Sequence, residues 1–295
     1  MTGNHDDNSH SNMRRVQFAL ILTVSFMFVE VIGGIISGSL ALLADAGHML
    51  TDSMALALAA LAFRMSAKPA DARRSYGYQR FQILAAFVNG LSLLLIVGWI
   101  LFEAVQRLMA PPEIMANTML VVASAGLVVN LIAFIVLHGG DRDNMNIRGA
   151  ALHVAGDMLG SVAAIIAALV ILYSGWMPID PLLSIFVALL ILRSAWNLVL
   201  RSAHVLLEGA PEWLEIGEMK AKVVARVPAV KNIHHVHVWG LTPQHLMLTM
   251  HVVLTETAVS STPVIRQIKA VLRDEFGIDH STIEVEADDC ADKNL

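Results

Sequence analysis

Six apolar runs, each about long enough to cross a bilayer, constrain the fold of this chain more than any other feature. They cover about residues 16–36, 40–63, 81–105, 115–137, 149–173 and 181–200. A helix needs roughly 20 apolar residues to span the hydrocarbon core. Only 15% of the residues are charged, whereas soluble proteins carry about 25%. Most of the chain is therefore predicted to lie in a lipid bilayer.

Positive charges collect in every second connection between these runs. Basic residues precede the first run, separate the second from the third and the fourth from the fifth, and follow the sixth: Arg14, Arg15, Arg64, Lys68, Arg73, Arg74, Arg80, Arg142, Arg148 and Arg201. The other connections are nearly bare, with Arg107 alone near Pro111. Because basic loops stay in the cytoplasm, both termini are predicted to be cytoplasmic. The first run is too long for a cleaved leader and is predicted to stay as an anchor.

The composition changes from about residue 204. Residues 212–227 and 261–276 show the apolar spacing of amphipathic helices. Residues 230–241 and 246–255 alternate like strands around a turn at Thr242-Pro243, and residues 282–286 predict a last short strand. Gly277 is expected to end the second helix. We therefore divide the chain into an N-terminal tail (1–15), a six-helix transmembrane domain (16–203) and a cytoplasmic α+β domain (204–295) with the order αββαβ, of ferredoxin or metallochaperone type.

The spacing His-x-x-x-Asp interrupts two of the apolar runs. His48 and Asp52 lie in the second run, and His153 and Asp157 lie in the fifth. A four-residue step puts both side chains of a pair on one helix face. Ionisable residues at membrane depth are costly and usually functional. With both termini inside, the second run enters from outside and the fifth from inside, so the pairs can meet only at a shared depth near mid-membrane.

Two imidazoles and two carboxylates form a complete tetrahedral ligand set for Zn²⁺. Ca²⁺ and Mg²⁺ prefer six or more oxygens, whereas Cd²⁺, Co²⁺, Fe²⁺ and Ni²⁺ are not excluded. The simpler interpretations are a buried polar patch that holds helices together and a proton relay without metal. Asp45 shares the face of the second-run pair, and it either orients His48 from outside the ligand set or lines an outer vestibule.

A metal at bilayer depth is predicted to be cargo, and Zn²⁺ must displace protons from its ligands. The site is therefore expected to exchange Zn²⁺ for H⁺. An enzyme is not expected, because a membrane metalloprotease needs an open metal position and commonly His-Glu-x-x-His. A metal sensor would carry a signalling domain. The absence of a long basic tract argues against nucleic acid as a partner. Cys290, the one cysteine, excludes an internal disulfide and a cysteine-rich zinc cage.

The run GSLALLADAGHMLTD, the HVAGD stretch, the six spans and the αββαβ tail resemble the cation diffusion facilitator family. Within it, the chain is most similar to zinc-efflux transporters of the ZitB, CzcD and ZnT types. The resemblance implies a homodimer, located in a bacterial inner membrane, that exports Zn²⁺ for protons by alternating access. It also implies that His48, Asp52, His153 and Asp157 bind the transported ion. Members with Asp at the first position tend to accept more metals, so His48 favours zinc.

The same resemblance implies a second metal site, in the regulatory and dimerisation tail. Its ligands match His234, His251 and Glu286, and they would bind regulatory zinc and favour dimer closure. On a regular strand His235 and His237 share one face while His234 points to the other. His237 is either a ligand or a structural residue.

The resemblance also bears on three regions outside these two sites. The loop 138–144 has one histidine where many relatives are histidine-rich, so zinc capture there is not expected. Asp71, Arg74 and Tyr78 replace an Asp and two His of another relative's third site, which predicts no site there. Arg80 and Glu208 match a charge pair between membrane and tail domains. Glu30, Asn89 and Asn130 are predicted to make interhelical hydrogen bonds or to line the cavity.

Overall fold

Six long helices form the first two thirds of the chain. The computed structural model describes residues 3–66, 68–138, 145–255, 260–286 and 290. The helices are α1 (Gly3–Ser37), α2 (Leu40–Ser66), α3 (Phe81–Met109), α4 (Ala116–His138), α5 (Met145–Ser174) and α6 (Ile179–Leu206). Each contains a segment long and apolar enough to cross a membrane, which confirms the predicted spans. Since α1 begins at Gly3, it extends back through most of residues 1–15.

A buried carboxylate fixes where α2 begins. Asp180, in the first turn of α6, accepts hydrogen bonds from Ser39 Oγ at 2.6 Å and from the Leu40 N–H at 2.8 Å. The first N–H groups of a helix have no partner within the helix, and its dipole favours a negative charge there. Gly38 turns the chain with φ +73°, and Arg107 of α3 donates a hydrogen bond to its carbonyl. The two-residue connection between α1 and α2 is thus tied to both α3 and α6.

The tail has the predicted order αββαβ. It comprises α7 (Ile216–Arg226), β1 (Val230–Thr242), β2 (His245–Leu254), α8 (Ser261–Phe276) and β3 (His280–Glu286). The sheet order is β1-β2-β3, with β1 antiparallel and β3 parallel to β2. α7 begins four residues later than predicted, because the Leu214 N–H bonds back to the Pro211 carbonyl in a turn. α8 ends as predicted at Gly277, whose φ of 63° is left-handed.

The tail core lies between the sheet and its two helices. Alternate side chains of β2 (Leu248, Met250 and Val252) pack with Val223 of α7 and Ile268 of α8. Burying each large aliphatic side chain contributes roughly 1.5–3 kcal/mol. Side chains of β2 that alternate with these point to the sheet face away from α7 and α8. That face carries the polar groups described below.

The chain forms two compact units. One comprises Met1–Leu58 and Val88–Leu198, and the other comprises Ala59–Phe87 and Val199–Leu295. The second unit combines the tail with the ends of α2, α3 and α6 and with the connection between α2 and α3. The boundary predicted at residues 203 and 204 falls inside α6, which runs to Leu206.

Candidate metal centres

The first His-x-x-x-Asp pair lies on one face of α2. His48 Nε2 is 3.4 Å from Asp52 Oδ2, and both side chains are partly buried. Asp157 of the second pair is buried on α5. The side chain of His153 lies outside the part of the chain that the structure describes, although its position on α5 is given. The structure thus describes the side chains of one imidazole and two carboxylates of the predicted transport site, those of His48, Asp52 and Asp157.

Asp45 and Gly160 bring α2 and α5 into direct contact. A Cβ added to Gly160 would lie only 2.7 Å from Asp45 Oδ1, so the carboxylate sits on the bare glycine backbone. Asp45 is buried and lies near Asp157. Besides the two roles that the sequence left open for Asp45, it thus has a third, as a helix–helix contact.

This contact sets the register between the two helices. The second and fifth of six consecutive spans run in opposite directions, so a step forward along α2 corresponds to a step back along α5. Three residues separate Asp45 from His48, and three separate Gly160 from Asp157. Four more residues lead to Asp52 on α2 and to position 153 on α5. At equal rise per residue, His48 is level with Asp157, and Asp52 is level with position 153.

A further carboxylate lies beside this pair of helices. Glu30 of α1 is fully buried, and neither of its carboxylate oxygens has a hydrogen-bond partner among the described residues. A Cβ added to Gly126 of α4 would lie 2.9 Å from Glu30 Oε1 and 3.3 Å from Ser161 Oγ. Asn130 donates a hydrogen bond to Ser161 at 3.4 Å, an interhelical contact of the predicted kind. Glu30 thus adds a third buried carboxyl group near Asp45 and Asp157.

The three tail residues predicted from the resemblance come together on the open sheet face. His234 of β1 is the cross-strand partner of His251 on β2. His234 Nε2 lies 2.8 Å from Glu286 Oε2, and His251 Nδ1 lies 3.1 Å from Glu286 Oε1. The other nitrogen of His251 faces Glu284 at 3.6 Å. A carboxylate on the second nitrogen is the usual way to fix the orientation of a metal-binding imidazole.

A β-bulge changes which histidines share this face. The register of β1 shifts between His234 and His237, and His235 adopts φ +46°. The rings of His234 and His235 lie 5.5 and 5.1 Å from the ring of His251. The prediction that His234 and His235 point to opposite faces was therefore wrong, because a bulge interrupts the two-residue period on which it rested.

Sequence reasoning also missed a residue of the tail cluster. Cys290 contributes its Sγ to a group with His234, His251 and Glu286, in which one ligand atom from each residue lies within 4.8 Å of the others. From the sequence, Cys290 served only to exclude an internal disulfide and a cysteine-rich zinc cage. A usable signal was present, since the chain's one thiol follows a predicted ligand by four residues.

The connection between α2 and α3 carries polar contacts of another kind. The Tyr78 hydroxyl donates to Asp71 Oδ2 at 3.1 Å. The backbone N–H of Arg73, together with the Arg74 N–H, the Tyr78 hydroxyl and the Arg74 charge, lowers the pKa of Asp71. Arg80 Nη2 lies 3.1 Å from Glu208 Oε1. Residues 139–144 of the loop with few histidines lie outside the described residues.

Comparison with known proteins identifies the family. The family model of the cation efflux transmembrane domain matches residues 16–207, and that of the cation efflux protein cytoplasmic domain matches residues 211–288. This chain is a cation diffusion facilitator. The six apolar helices and this membership make the facilitator an integral membrane protein, in a family of transporters rather than enzymes.

Several relatives match the facilitator over nearly its full length. It is 47% identical to the zinc transporter ZitB of Pectobacterium atrosepticum, over 99% of this chain and 91% of the relative. It is 42% identical to a cadmium, cobalt and zinc/H⁺-K⁺ antiporter of Bacillus subtilis, over 96% of this chain and 92% of the relative. A solved structure, the metal-bound C-terminal domain of the CzcD transporter, is 34% identical over 25% of this chain and 99% of its own, with a TM-score of 0.23.

Proposed function

We propose that this facilitator exports Zn²⁺ from the cytoplasm in exchange for H⁺. The observation that carries the proposal is the contact between Asp45 and Gly160. It sets an antiparallel register in which an imidazole position on each helix is level with a carboxylate position on the other. Two nitrogens and two carboxylate oxygens suit Zn²⁺ in fourfold geometry and suit oxygen-seeking cations poorly.

The cargo site comprises His48, Asp52, His153 and Asp157. Zn²⁺ displaces protons from these ligands when it binds, and protons return when it leaves. Proton exchange at these ligands would couple the movement of Zn²⁺ to a proton gradient. The antiporter name of the Bacillus subtilis relative supports exchange, and the names of the ZitB relatives support zinc as the cargo.

The working unit is a homodimer in the bacterial inner membrane that operates by alternating access, with both termini in the cytoplasm. The family model that matches the tail is named ZT_dimer, and this name supports the dimer. The basic connections between alternate spans support this orientation. In the tail, His234, His251 and Glu286 bind regulatory zinc. The ion pair of Arg80 and Glu208 holds the α2–α3 connection to the end of α6.

Purified protein in liposomes with an imposed pH gradient tests the transport proposal directly. Zn²⁺ should enter liposomes whose lumen is acidic, and collapse of the gradient should stop the uptake. The variant Asp157→Asn keeps the side-chain shape but removes a charged ligand. Its uptake should fall by more than about 100-fold, since even groups that only support a ligand contribute about 10- to 100-fold.

A matched control lies two residues away on the same helix. Leu159 is 73% exposed on the apolar surface of α5, so Leu159→Ala should transport normally. Gradient-independent uptake by the wild type would contradict proton exchange. Uptake at the wild-type rate by Asp157→Asn would refute the cargo site.

A further inference from the structure

The tail cluster contains a ligand that neither the sequence patterns nor the family resemblance assigned. We infer that Cys290 supplies a thiolate as the fourth ligand of the tail metal site, which makes that site selective for soft ions such as Cd²⁺ as well as Zn²⁺. The inference rests on the tail site proposed above and adds a donor, and with it a preference, to that site.

Distances within the cluster fit tetrahedral coordination. Metal bonds of about 2.0–2.3 Å require neighbouring ligand atoms to lie roughly 3.3–3.8 Å apart. Cys290 Sγ lies 3.7 Å from His251 Nδ1, which in turn lies 3.1 Å from Glu286 Oε1. No pair of donor atoms in the group exceeds 4.8 Å, so closure around an ion needs shifts of about one ångström at most.

Burial distinguishes this group from an ordinary surface cluster. His251 and Glu286 are each 8% exposed, and they lie on neighbouring strands whose register is fixed by the sheet. Glu284 faces the second nitrogen of His251 and holds the ring with Nδ1 toward the sulfur. The cluster thus has three donors held by strands, His234, His251 and Glu286, and one more, Cys290, beyond the end of β3.

The sulfur also has a second imidazole beside it. His235 Nδ1 lies 3.8 Å from Cys290 Sγ, in a position that the bulge in β1 creates. Without the bulge, His235 would lie on the other face of the strand. The structure therefore offers the thiolate two imidazoles, whereas a cysteine packed for its apolar character would be expected among aliphatic side chains.

Thiolate and imidazole donors change the metal preference of the site. Two nitrogens, one oxygen and one sulfur still suit Zn²⁺, but sulfur adds affinity for softer ions. The cargo site contains no sulfur. The tail would then respond to Cd²⁺ at concentrations where the cargo site still prefers Zn²⁺.

The experiment uses the full-length protein carrying Asp157→Asn, so that the cargo site does not contribute. Only a thiolate gives a near-ultraviolet charge-transfer band with Co²⁺ or Cd²⁺, and Cys290 is the one cysteine of the chain. Titration with either ion should produce this band, and Cys290→Ser should remove it. The same substitution should weaken Cd²⁺ binding by more than about tenfold and Zn²⁺ binding less, because sulfur favours the softer ion.

Alkylation of Cys290 provides a second readout. Zn²⁺ should protect the thiol in the parent protein, and His251→Ala should remove the protection. Metal binding that depends on His251 but gives neither a band nor protection would overturn the cysteine ligand and leave the three-ligand tail site intact. No binding at all would overturn both. Transport is measured separately in protein without Asp157→Asn, so a failure of the export proposal would remain distinguishable.

Discussion

The two proposed metal clusters of this protein are built in different ways. The cargo cluster relies on helix periodicity, since a step of four residues puts His48 and Asp52 on one face of α2. The tail cluster relies on neighbouring strands, a bulge and a residue beyond the last strand. The first arrangement can be read along the sequence, whereas the second depends on contacts between distant segments. The clusters should therefore fail independently and through different substitutions.

The largest expected effect separates the two clusters completely. Asp157→Asn should reduce proton-driven Zn²⁺ uptake by more than about 100-fold and leave metal binding by the tail unchanged. His251→Ala should abolish tail binding and retain uptake at saturating Zn²⁺. Flux in liposomes and equilibrium metal binding to the same preparations measure both quantities. Loss of tail binding in Asp157→Asn would show that the clusters are not independent.

The next effect tests the helix register. Gly160→Ala places a methyl group 2.7 Å from Asp45 Oδ1 and should displace the buried carboxylate or separate α2 from α5. Overpacking of this kind costs about 1–3 kcal/mol, which corresponds to a loss of transport of roughly 5-fold to 150-fold if it falls on the cargo site. Gly156→Ala, one turn away, meets no atom of the described residues within 4 Å and should transport normally. Equal transport rates for the two variants would show that the contact between Asp45 and Gly160 does not set the register of α2 and α5.

A smaller effect concerns stability rather than transport. Asp180→Ala leaves Ser39 and the first N–H groups of α2 without their buried acceptor. The loss is expected to cost about 1–3 kcal/mol for each orphaned group, and the unfolding temperature in detergent should fall. Glu113→Gln, an exposed position in the connection before α4, is the matched control. An unchanged unfolding temperature in Asp180→Ala would mean that water replaces the carboxylate.

The smallest effect belongs to the exposed ion pair. Arg80 and Glu208 lie 3.1 Å apart, with side chains 33% and 62% exposed. Such pairs contribute about 0.2–1 kcal/mol and are screened by salt. Arg80→Glu and Glu208→Arg should each weaken thermal stability slightly at low salt, and the double reversal should restore it. A double variant no better than the singles would contradict a direct pairing.

Sequence periodicity predicted most of the fold for a physical reason. In a membrane helix the backbone satisfies its own hydrogen bonds, so an apolar run of the right length already specifies the element. The same regularity made the His-x-x-x-Asp pairs visible. The tail strands were also predicted, since Leu248, Met250 and Val252 of β2 lie at alternate positions on the core face while His251 lies on the other.

Local departures from regularity could not be predicted. The φ of +46° at His235 follows from how β1 pairs with β2, and no glycine stands at that position to signal it. Cys290 joins ligands from three different strands, and such a tertiary contact leaves no periodic signal in the sequence. The cap on α2 pairs residues about 140 positions apart in sequence, and a periodic pattern contains no information about such a pairing.

The glycine contact between α2 and α5 also restricts how these helices can move. Suppose that α5 slides along α2 by one helical turn, about 5.4 Å. His48 would then be level with position 153, and Asp157 would lie close to the level of Asp45. Imidazole would then face imidazole and carboxylate would face carboxylate, and the ion would lose its mixed cage. If the proposed cargo site holds, we therefore expect α2 and α5 to tilt together during transport rather than to slide past each other, so that the distances between the ligands stay constant.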